Sequence, residues 1–208
     1  MTPSRSVLTQ ACDVLAERDP YLAKAYTQIG VPDWRSRTAN YETLARIVVY
    51  QLISTKAADA IWARTCAFLG MPVRGEAVLA ADIDALRACG LSRPKVEHMR
   101  AIASALQTGE LDLERLAGLT PDAARAKLLN VRGIGPWSAD LFLLSAYGVL
   151  DAFPSGDVGH LEAYRRLSCA NVRLDGKAFV ILAENWRPFR GVAAHLLWGW
   201  LNAERDKA

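Results

Sequence analysis

The 208-residue sequence predicts an all-α protein, a helical bundle with two lobes. Two observations lead to this fold class. Apolar residues recur at helical spacing in most segments, and no segment alternates with period two for long enough to indicate a strand. A third observation is a Gly-x-Gly-Pro turn at residues 133–136, which separates two helical runs. The chain has the length for one good-sized core or for two small lobes that share an interface.

Helices are predicted in order along the chain. Residues 1–19 are expected to form a short amphipathic helix. Residues 20–40 are expected to be mainly a connecting segment that contributes little to the core. Glu42 to Ile53 forms a helix with Leu44, Ile47, Val48 and Leu52 on one face. Ser54 and Thr55 cap the next helix, which ends at Gly70. Further helices are expected at 82–90, 95–106, from Thr120-Pro121 to 129, at 137–144, 157–167, 176–186 and from Pro188 onward.

Composition narrows the function classes. The sequence is 51% hydrophobic, yet it has no apolar run of membrane-spanning length and no signal-peptide pattern. We therefore expect an intracellular, non-secreted protein with no membrane partner. Cys12, Cys66, Cys89 and Cys169 are too scattered for a zinc site or an iron–sulfur cluster. The net charge of +3 permits nucleic-acid binding through a local basic patch without demanding it.

The turn Arg132-Gly133-Ile134-Gly135-Pro136 is the most informative stretch. Both glycines can adopt positive φ at little cost, and Pro136 suits the first turn of the next helix. Outward-pointing N–H groups and the positive end of the helix dipole would bind an anion such as a phosphate. A dinucleotide loop is excluded, because a helix precedes the turn and Ser138 takes the place of the third glycine. An ordinary helix–helix turn is the alternative.

A second segment, Asp-Ala-Phe-Pro-Ser-Gly-Asp-Val-Gly at 151–159, follows shortly after the turn. Together the two segments resemble the helix–hairpin–helix DNA glycosylases, and within them the 3-methyladenine DNA glycosylase II (AlkA-type) group. Three more segments resemble family motifs: Gln-Leu-Ile-Ser at 51–54, Gly-Leu-Ser-Arg-Pro-Lys at 90–95, and Trp-Arg-Pro-Phe-Arg-Gly-Val-Ala at 186–193. The resemblance runs from about Tyr41 to Leu201 and indicates a compact form without the N-terminal β domain of the best-known bacterial members.

The resemblance implies a single helical glycosylase domain over residues 1–208. Its active-site cleft is expected between a lobe made of both termini and a central lobe of about 55–155. The resemblance implies that Asp157 is the catalytic aspartate. A carboxylate at this position would stabilise the cation-like sugar of the transition state. The alternative for Asp157 is a helix N-cap. Pro136 stands where lyase-active relatives carry a lysine, so the resemblance implies a monofunctional enzyme.

Other residues are assigned to the base pocket or to DNA contact. Trp137 and Trp198 are candidates for the pocket, since a flipped base is held on aromatic faces; both tryptophans could instead be core residues. Leu141 is also assigned to the pocket: it stands where some members of the family have an aromatic residue, so the resemblance implies a pocket that stacks less and is more permissive. Leu52 matches the family's wedge, with Gln51 beside it, although a leucine on a helical face is usually core. Arg132, Gly133, Ile134 and Gly135 are expected to grip the DNA backbone. Arg93 and Lys95 could also contact phosphates, or simply form solvated surface.

The function implied by this resemblance is removal of alkylated purines such as 3-methyladenine from double-stranded DNA, as the first step of base excision repair. We expect a monomer, in the cytoplasm with the nucleoid or in a nucleus. No cofactor is expected, apart from a structural Na⁺ or K⁺ that the hairpin carbonyls could hold. Two alternatives stay open: a non-catalytic DNA-binding module, and a glycosylase for deaminated or oxidised bases. His98, His160 and His195 receive no role.

Overall fold

The computed structural model describes residues 2–207, and within this range it contains only helices, turns and loops. The predicted all-α fold is therefore confirmed. The helices are α1 (Arg5–Arg18), α2 (Pro20–Ile29), α3 (Tyr41–Tyr50), α4 (Thr55–Leu69), α5 (Gly75–Ala80), α6 (Ile83–Ala88), α7 (Arg93–Thr108), α8 (Leu113–Ala117), α9 (Pro121–Leu129), α10 (Pro136–Tyr147), α11 (Val158–Leu167), α12 (Gly176–Ala183) and α13 (Arg190–Asp206), with a 3₁₀ helix at Glu184–Trp186. None of the described helices is both long and apolar enough to cross a membrane.

The chain divides into two compact units. The terminal unit comprises residues 1–36 and 143–208, and the central unit comprises residues 37–142. The central unit thus begins and ends earlier in the chain than the predicted central lobe of about 55–155. The predicted cleft stays a prediction.

Three helices were not predicted, and one predicted helix is shorter than expected. Residues 20–29 form α2 rather than a connection, because Asp19 caps its first turn and Pro20 occupies the first helical position. The short helices α5 and α8 also escaped prediction, since each offers too few residues for a periodic pattern. Helix α3 ends at Tyr50, so Leu52 does not lie on its apolar face as predicted.

The terminal unit is built around α13, which packs against α1, α2 and α11. A buried carboxylate, Asp19, joins three of its elements. Its oxygens accept the N–H groups of Tyr21 and Leu22, the Tyr164 hydroxyl at 3.1 Å and the Trp186 indole N–H at 2.9 Å. Because a buried carboxylate is costly without such partners, this network fixes α2, α11 and the 3₁₀ helix in one arrangement.

The central unit is built around α7, which packs against α3, α5 and α6. Its hairpin joins α9 to α10, and a bidentate ion pair holds these two helices together. The Arg125 guanidinium donates to both oxygens of Asp140, at 2.6 and 3.1 Å. Asp140 is almost fully buried while Arg125 is partly exposed, and the bidentate geometry of the pair specifies how the two helices are placed around the turn.

Candidate functional site

Glycine occupies positions 133 and 135 of the hairpin for different structural reasons. Gly133 adopts φ +96°, and a Cβ at this position would lie 2.4 Å from the Cβ of His98. Only glycine fits there. Gly135 does not adopt positive φ, and a Cβ built on it meets no atom within 4 Å. The prediction that both glycines serve the sharpness of the turn is therefore wrong for Gly135, whose small size leaves open space outside the hairpin.

The hairpin contains two backbone N–H groups that have no acceptor within the described residues, and their binding of an anion stays a prediction. The Ile134 N–H donates to the Val131 carbonyl at 3.1 Å, and the Ile134 side chain is buried. Within residues 2–207, the N–H groups of Gly133 and Gly135 donate to no protein acceptor. Such N–H groups beside the start of α10 can bind an anion. Ile134 thus anchors the turn through its buried side chain, and Gly133 and Gly135 contribute the unpaired backbone N–H groups.

Gln51 supports the hairpin from the end of α3. Its side-chain amide donates to the Gly133 carbonyl at 3.1 Å and to the Ser138 hydroxyl at 2.8 Å. The sequence indicated a DNA contact for Gln51, and this remains a prediction. In the structure both of its amide hydrogens are already engaged within the central unit. Its observed role is to hold the turn backbone in place.

Leu52 is the most exposed large apolar side chain of the described chain. It is 103% exposed and adopts φ +59°, a conformation that costs a branched side chain free energy. It occupies the turn between α3 and α4, so the alternative of a core leucine is excluded. A strained, fully exposed leucine contributes nothing to the core, and such features persist where function requires them.

Other candidates in the central unit occupy varied environments. Trp137 and Leu141 lie four residues apart in α10, so they share one face of that helix, and both are half-buried. Arg132 is exposed and pairs with Glu97 at 2.9 Å. Arg93 pairs with the same glutamate at 3.3 Å. Lys95 instead donates to the Val49 carbonyl at 2.7 Å, and burial lowers the pKa of its amine, so it supports α3 rather than facing solvent.

Asp157 lies at the start of α11 and does more than cap it. Its Oδ1 accepts the N–H groups of Gly159 at 2.8 Å and His160 at 3.2 Å, which is an N-cap. The same oxygen accepts the indole N–H of Trp198 at 3.2 Å. A Cβ on Gly159 would lie 2.9 Å from this oxygen, which explains the glycine two residues after the aspartate. Three donors fix one half-buried carboxylate in a single orientation.

The segment before Asp157 is anchored by the C-terminal Trp-Arg-Pro-Phe-Arg motif. Arg190 donates through its side chain to both oxygens of Asp151, at 3.0 and 2.9 Å, and through its backbone N–H at 3.3 Å. Arg187 donates to the same carboxylate at 2.6 Å. This pairing ties α13 to the start of the Asp151–Gly159 segment. The segment at 151–159 and the C-terminal motif at 186–193 are therefore held together by these ion pairs.

Sequence reasoning missed four residues around Trp198: Trp34, Arg35, His160 and His195. Trp198 is half-buried, and its ring centroid lies 4.3 Å from that of the fully buried His160. His195 stacks on Trp34 at 4.1 Å between centroids. The Arg35 guanidinium lies over the Trp198 ring. No motif indicates these contacts, because they join different helices and loops; the contact between Arg35 and His195 spans 160 residues.

The predicted site residues thus form two groups. The central unit contains the hairpin, Gln51, Leu52, Trp137 and Leu141, and the terminal unit contains Asp157 and Trp198. Among the described residues, no group of three or more His, Cys, Asp or Glu side chains could hold a metal ion.

Known proteins with similar sequences include DNA repair enzymes. DNA-3-methyladenine glycosylase 1 of Schizosaccharomyces pombe is 30% identical over 162 residues, which is 76% of this chain and 71% of that protein. A probable bifunctional transcriptional activator and DNA repair enzyme, AlkA, of Mycobacterium tuberculosis is 31% identical over 166 residues, 76% of this chain but 32% of that longer protein. No protein-family model matches the sequence.

Solved structures agree with these relatives. The 3-methyladenine DNA glycosylase of Schizosaccharomyces pombe in complex with abasic DNA superposes with a TM-score of 0.82 and 26% identity. The match covers 91% of this chain and 95% of that one.

Proposed function

This chain belongs to the DNA-3-methyladenine glycosylases of the helix–hairpin–helix superfamily, and we propose that it excises alkylated purines such as 3-methyladenine from double-stranded DNA. The reaction is hydrolysis of the N-glycosidic bond of a flipped-out base, which leaves an abasic site for base excision repair. The Schizosaccharomyces pombe relatives named above are 3-methyladenine DNA glycosylases according to their names. DNA as substrate implies work inside the cell, in the cytoplasm beside the nucleoid or in a nucleus, and we propose that the protein acts as a monomer.

One observation carries the chemical assignment. A helix cap requires only the backbone N–H groups that follow it, yet the Oδ1 of Asp157 also accepts the Trp198 indole N–H. This extra donor holds an anionic group rigidly beside an aromatic side chain. A fixed carboxylate stabilises positive charge that develops on the sugar without reorganising during the reaction. We therefore assign catalysis to Asp157, and a wall of the base pocket to Trp198.

The residues of the central unit are assigned to DNA. The exposed N–H groups of Gly133 and Gly135 would hold a phosphate, with Arg132 adding charge. Leu52 would fill the gap that the flipped base leaves, and Trp137 and Leu141 would contact the base. A Na⁺ or K⁺ on the hairpin carbonyls stays a prediction. The Val131 and Gly133 carbonyls each accept one hydrogen bond, so each keeps a second lone pair for a cation.

Base release tests the proposed function directly. Duplexes of one sequence, each with a single 3-methyladenine analogue, 7-methylguanine, hypoxanthine, uracil or 8-oxoguanine, are incubated with excess protein, and the released base is quantified. We expect release of alkylated purines well above that of uracil and 8-oxoguanine. Tight binding of all duplexes without release of any base would instead identify a non-catalytic DNA-binding module.

The absence of lyase chemistry is tested on the same substrates. Pro136 provides no amine at the position where a lysine would attack the sugar, so borohydride should trap no covalent adduct with the DNA. A lysine-dependent bifunctional glycosylase serves as the positive control on its own substrate. An adduct that forms with this protein in comparable yield would mean that another amine reaches the sugar, and the enzyme would then be bifunctional.

A further inference from the structure

The segment between α2 and α3 brings a positive charge to Trp198. The Cζ atom of Arg35 lies 5.4 Å from the centroid of the Trp198 ring, within the range of a cation–π contact. The backbone of this segment is fixed by His195: its Nε2 accepts the Arg35 N–H at 3.3 Å. Trp34 stacks on the same imidazole with 4.1 Å between ring centroids. Arg35 is thus presented from a fixed point.

The protonation of His195 makes this attachment permanent near neutral pH. Because Nε2 accepts a hydrogen bond, the proton of the neutral ring is on Nδ1, which donates to the Gly191 carbonyl at 2.8 Å. Burial lowers the pKa of His195 to about 4. The ring therefore stays neutral above that pH and keeps its acceptor for Arg35.

The two groups that contact the Trp198 ring differ in exposure, and we infer that Arg35 covers the side of the ring nearer to solvent. His160, which packs 4.3 Å from the same ring, is completely buried, whereas Arg35 is exposed. Within residues 2–207 the guanidinium forms neither a hydrogen bond nor an ion pair with another side chain. Although the residue is exposed, neighbouring protein partly desolvates its guanidinium and lowers the pKa of Arg35; the negative charge of Asp157 opposes this shift, and an arginine stays protonated in any case. A cation with unused N–H donors thus covers the accessible indole face.

We propose that Arg35 is a specificity-determining residue that disfavours cationic bases relative to neutral ones in the pocket. This inference rests on the proposed function, in which Trp198 lines that pocket. A base that approaches the accessible indole face must either stack on the guanidinium or displace it. A neutral base can stack on the planar guanidinium. A base with a fixed positive charge is repelled by Arg35 in both cases, and it competes with Arg35 for the electron-rich indole face and for the negative charge of Asp157.

The test compares one cationic and one neutral lesion. Single-turnover release of 7-methylguanine, which is cationic, and of hypoxanthine, which is neutral, is measured for wild type and Arg35→Met in otherwise identical duplexes. Methionine keeps an unbranched chain and removes the charge. We expect the ratio of the two efficiencies, 7-methylguanine over hypoxanthine, to rise about 10-fold, which is the size of a partly desolvated cation–π contact. Dividing variant by wild type cancels the different intrinsic labilities of the two glycosidic bonds.

Two further variants give the comparison its controls. Arg35→Gln is a second neutral variant and should shift the ratio in the same direction, so the result does not depend on one folded protein. Arg5→Met removes the same charge from an exposed residue at the start of α1 and should leave the ratio unchanged. Thermal unfolding and affinity for undamaged duplex are measured for all variants.

Four outcomes would overturn the proposal. Equal loss of both efficiencies in Arg35→Met would mean that Arg35 orients Trp198 and Asp157 for every substrate. Equal loss of affinity for damaged and undamaged duplexes, with the ratio unchanged, would make Arg35 a phosphate contact. If the wild type releases neither base, the proposed function fails and this inference fails with it, whereas an active wild type with an unchanged ratio contradicts the inference alone.

Discussion

The hairpin of the central unit and the Asp157 segment of the terminal unit are both turns that lead into a helix, yet they use polar groups in opposite ways. At the hairpin, a side chain holds the backbone in place: the Gln51 amide donates to the Gly133 carbonyl and to the Ser138 hydroxyl. The N–H groups of the two glycines keep no protein acceptor among the described residues. At Asp157, the backbone serves a side chain, because two N–H groups and an indole hold one carboxylate. One turn presents a backbone, and the other presents a charge.

This difference indicates a division of labour. Backbone N–H groups suit recognition of a phosphate, which is the same at every nucleotide and carries no sequence information. A fixed side-chain charge suits stabilisation of a transition state. Changes at the hairpin should therefore affect DNA affinity, and changes at Asp157 should affect the rate of base release.

The largest effect is expected at the carboxylate. Asp157→Asn keeps an oxygen that can cap α11 and accept the Trp198 N–H, because asparagine caps helices as well as aspartate. Only the charge is lost, and we expect base release to slow about 100-fold or more. Single-turnover kinetics with excess protein measures this rate.

Asp82 provides the matched control for this variant. It caps α6 through N–H groups two and three residues ahead, the same cap pattern that Asp157 shows on α11. Asp82→Asn should release base at the wild-type rate. Equal rates for Asp157→Asn and wild type would reduce Asp157 to a helix cap.

A smaller effect is expected at the hairpin. A Cβ at Gly135 meets no protein atom within 4 Å, so the side chain of the Gly135→Val variant would project into the space where a phosphate is proposed to approach. Gly135→Val should weaken binding to damaged and undamaged duplexes by a similar factor of about 10, the value of one or two charge-assisted hydrogen bonds. Titration of both duplexes at several salt concentrations measures this loss.

The salt dependence separates the N–H groups from charge. Gly135→Val removes no cation, so the slope of log affinity against log salt should stay near that of wild type. Arg132→Met should reduce the slope by about 1, because a neutralised phosphate is lost. Substituting Gly133 is not informative, since a Cβ there collides with His98. Loss of lesion preference alone in Gly135→Val would place the hairpin at the base instead of the phosphate.

The smallest effects are expected for Leu52, where substitution should raise the stability of the protein and lower its affinity for DNA. Glycine adopts positive φ without the strain that leucine pays, and the exposed leucine packs against nothing that would be lost. Leu52→Gly should therefore raise the free energy of unfolding by up to about 1 kcal/mol, while it weakens binding to damaged duplex more than to undamaged duplex. Chemical denaturation and the two titrations test both signs. A destabilised variant would show that Leu52 packs within the protein.

The sequence predicted the parts of the site that local chemistry encodes. The turn at the hairpin and the helix cap at Asp157 are recognisable because glycine, proline and aspartate have strong local requirements at turns and caps, whereas the roles in DNA binding and catalysis were implied by the resemblance to the glycosylases. Leu52 was assigned to a helix face because its apolar spacing fits one, and only the end of α3 at Tyr50 removes it from that face.

The residues that sequence reasoning missed depend on contacts between distant segments. Arg35 meets His195 across 160 residues, and Trp186 meets Asp19 across 167. No periodicity reports such a pair. One local signal was available and unused: the Asp19-Pro20 pair is a cap followed by a favoured first helical residue, and it marks the start of α2.

The division of labour is tested most directly by one crossed measurement on a single alkylated duplex. The dissociation constant and the rate of base release at saturating protein are determined for wild type, Asp157→Asn and Gly135→Val. We predict that Asp157→Asn keeps its affinity and loses its rate, and that Gly135→Val loses affinity and keeps its rate once the duplex is saturated. If both variants lose affinity and rate together in the same proportion, the two turns do not have separate roles, and the assignment of phosphate to one and catalysis to the other is contradicted.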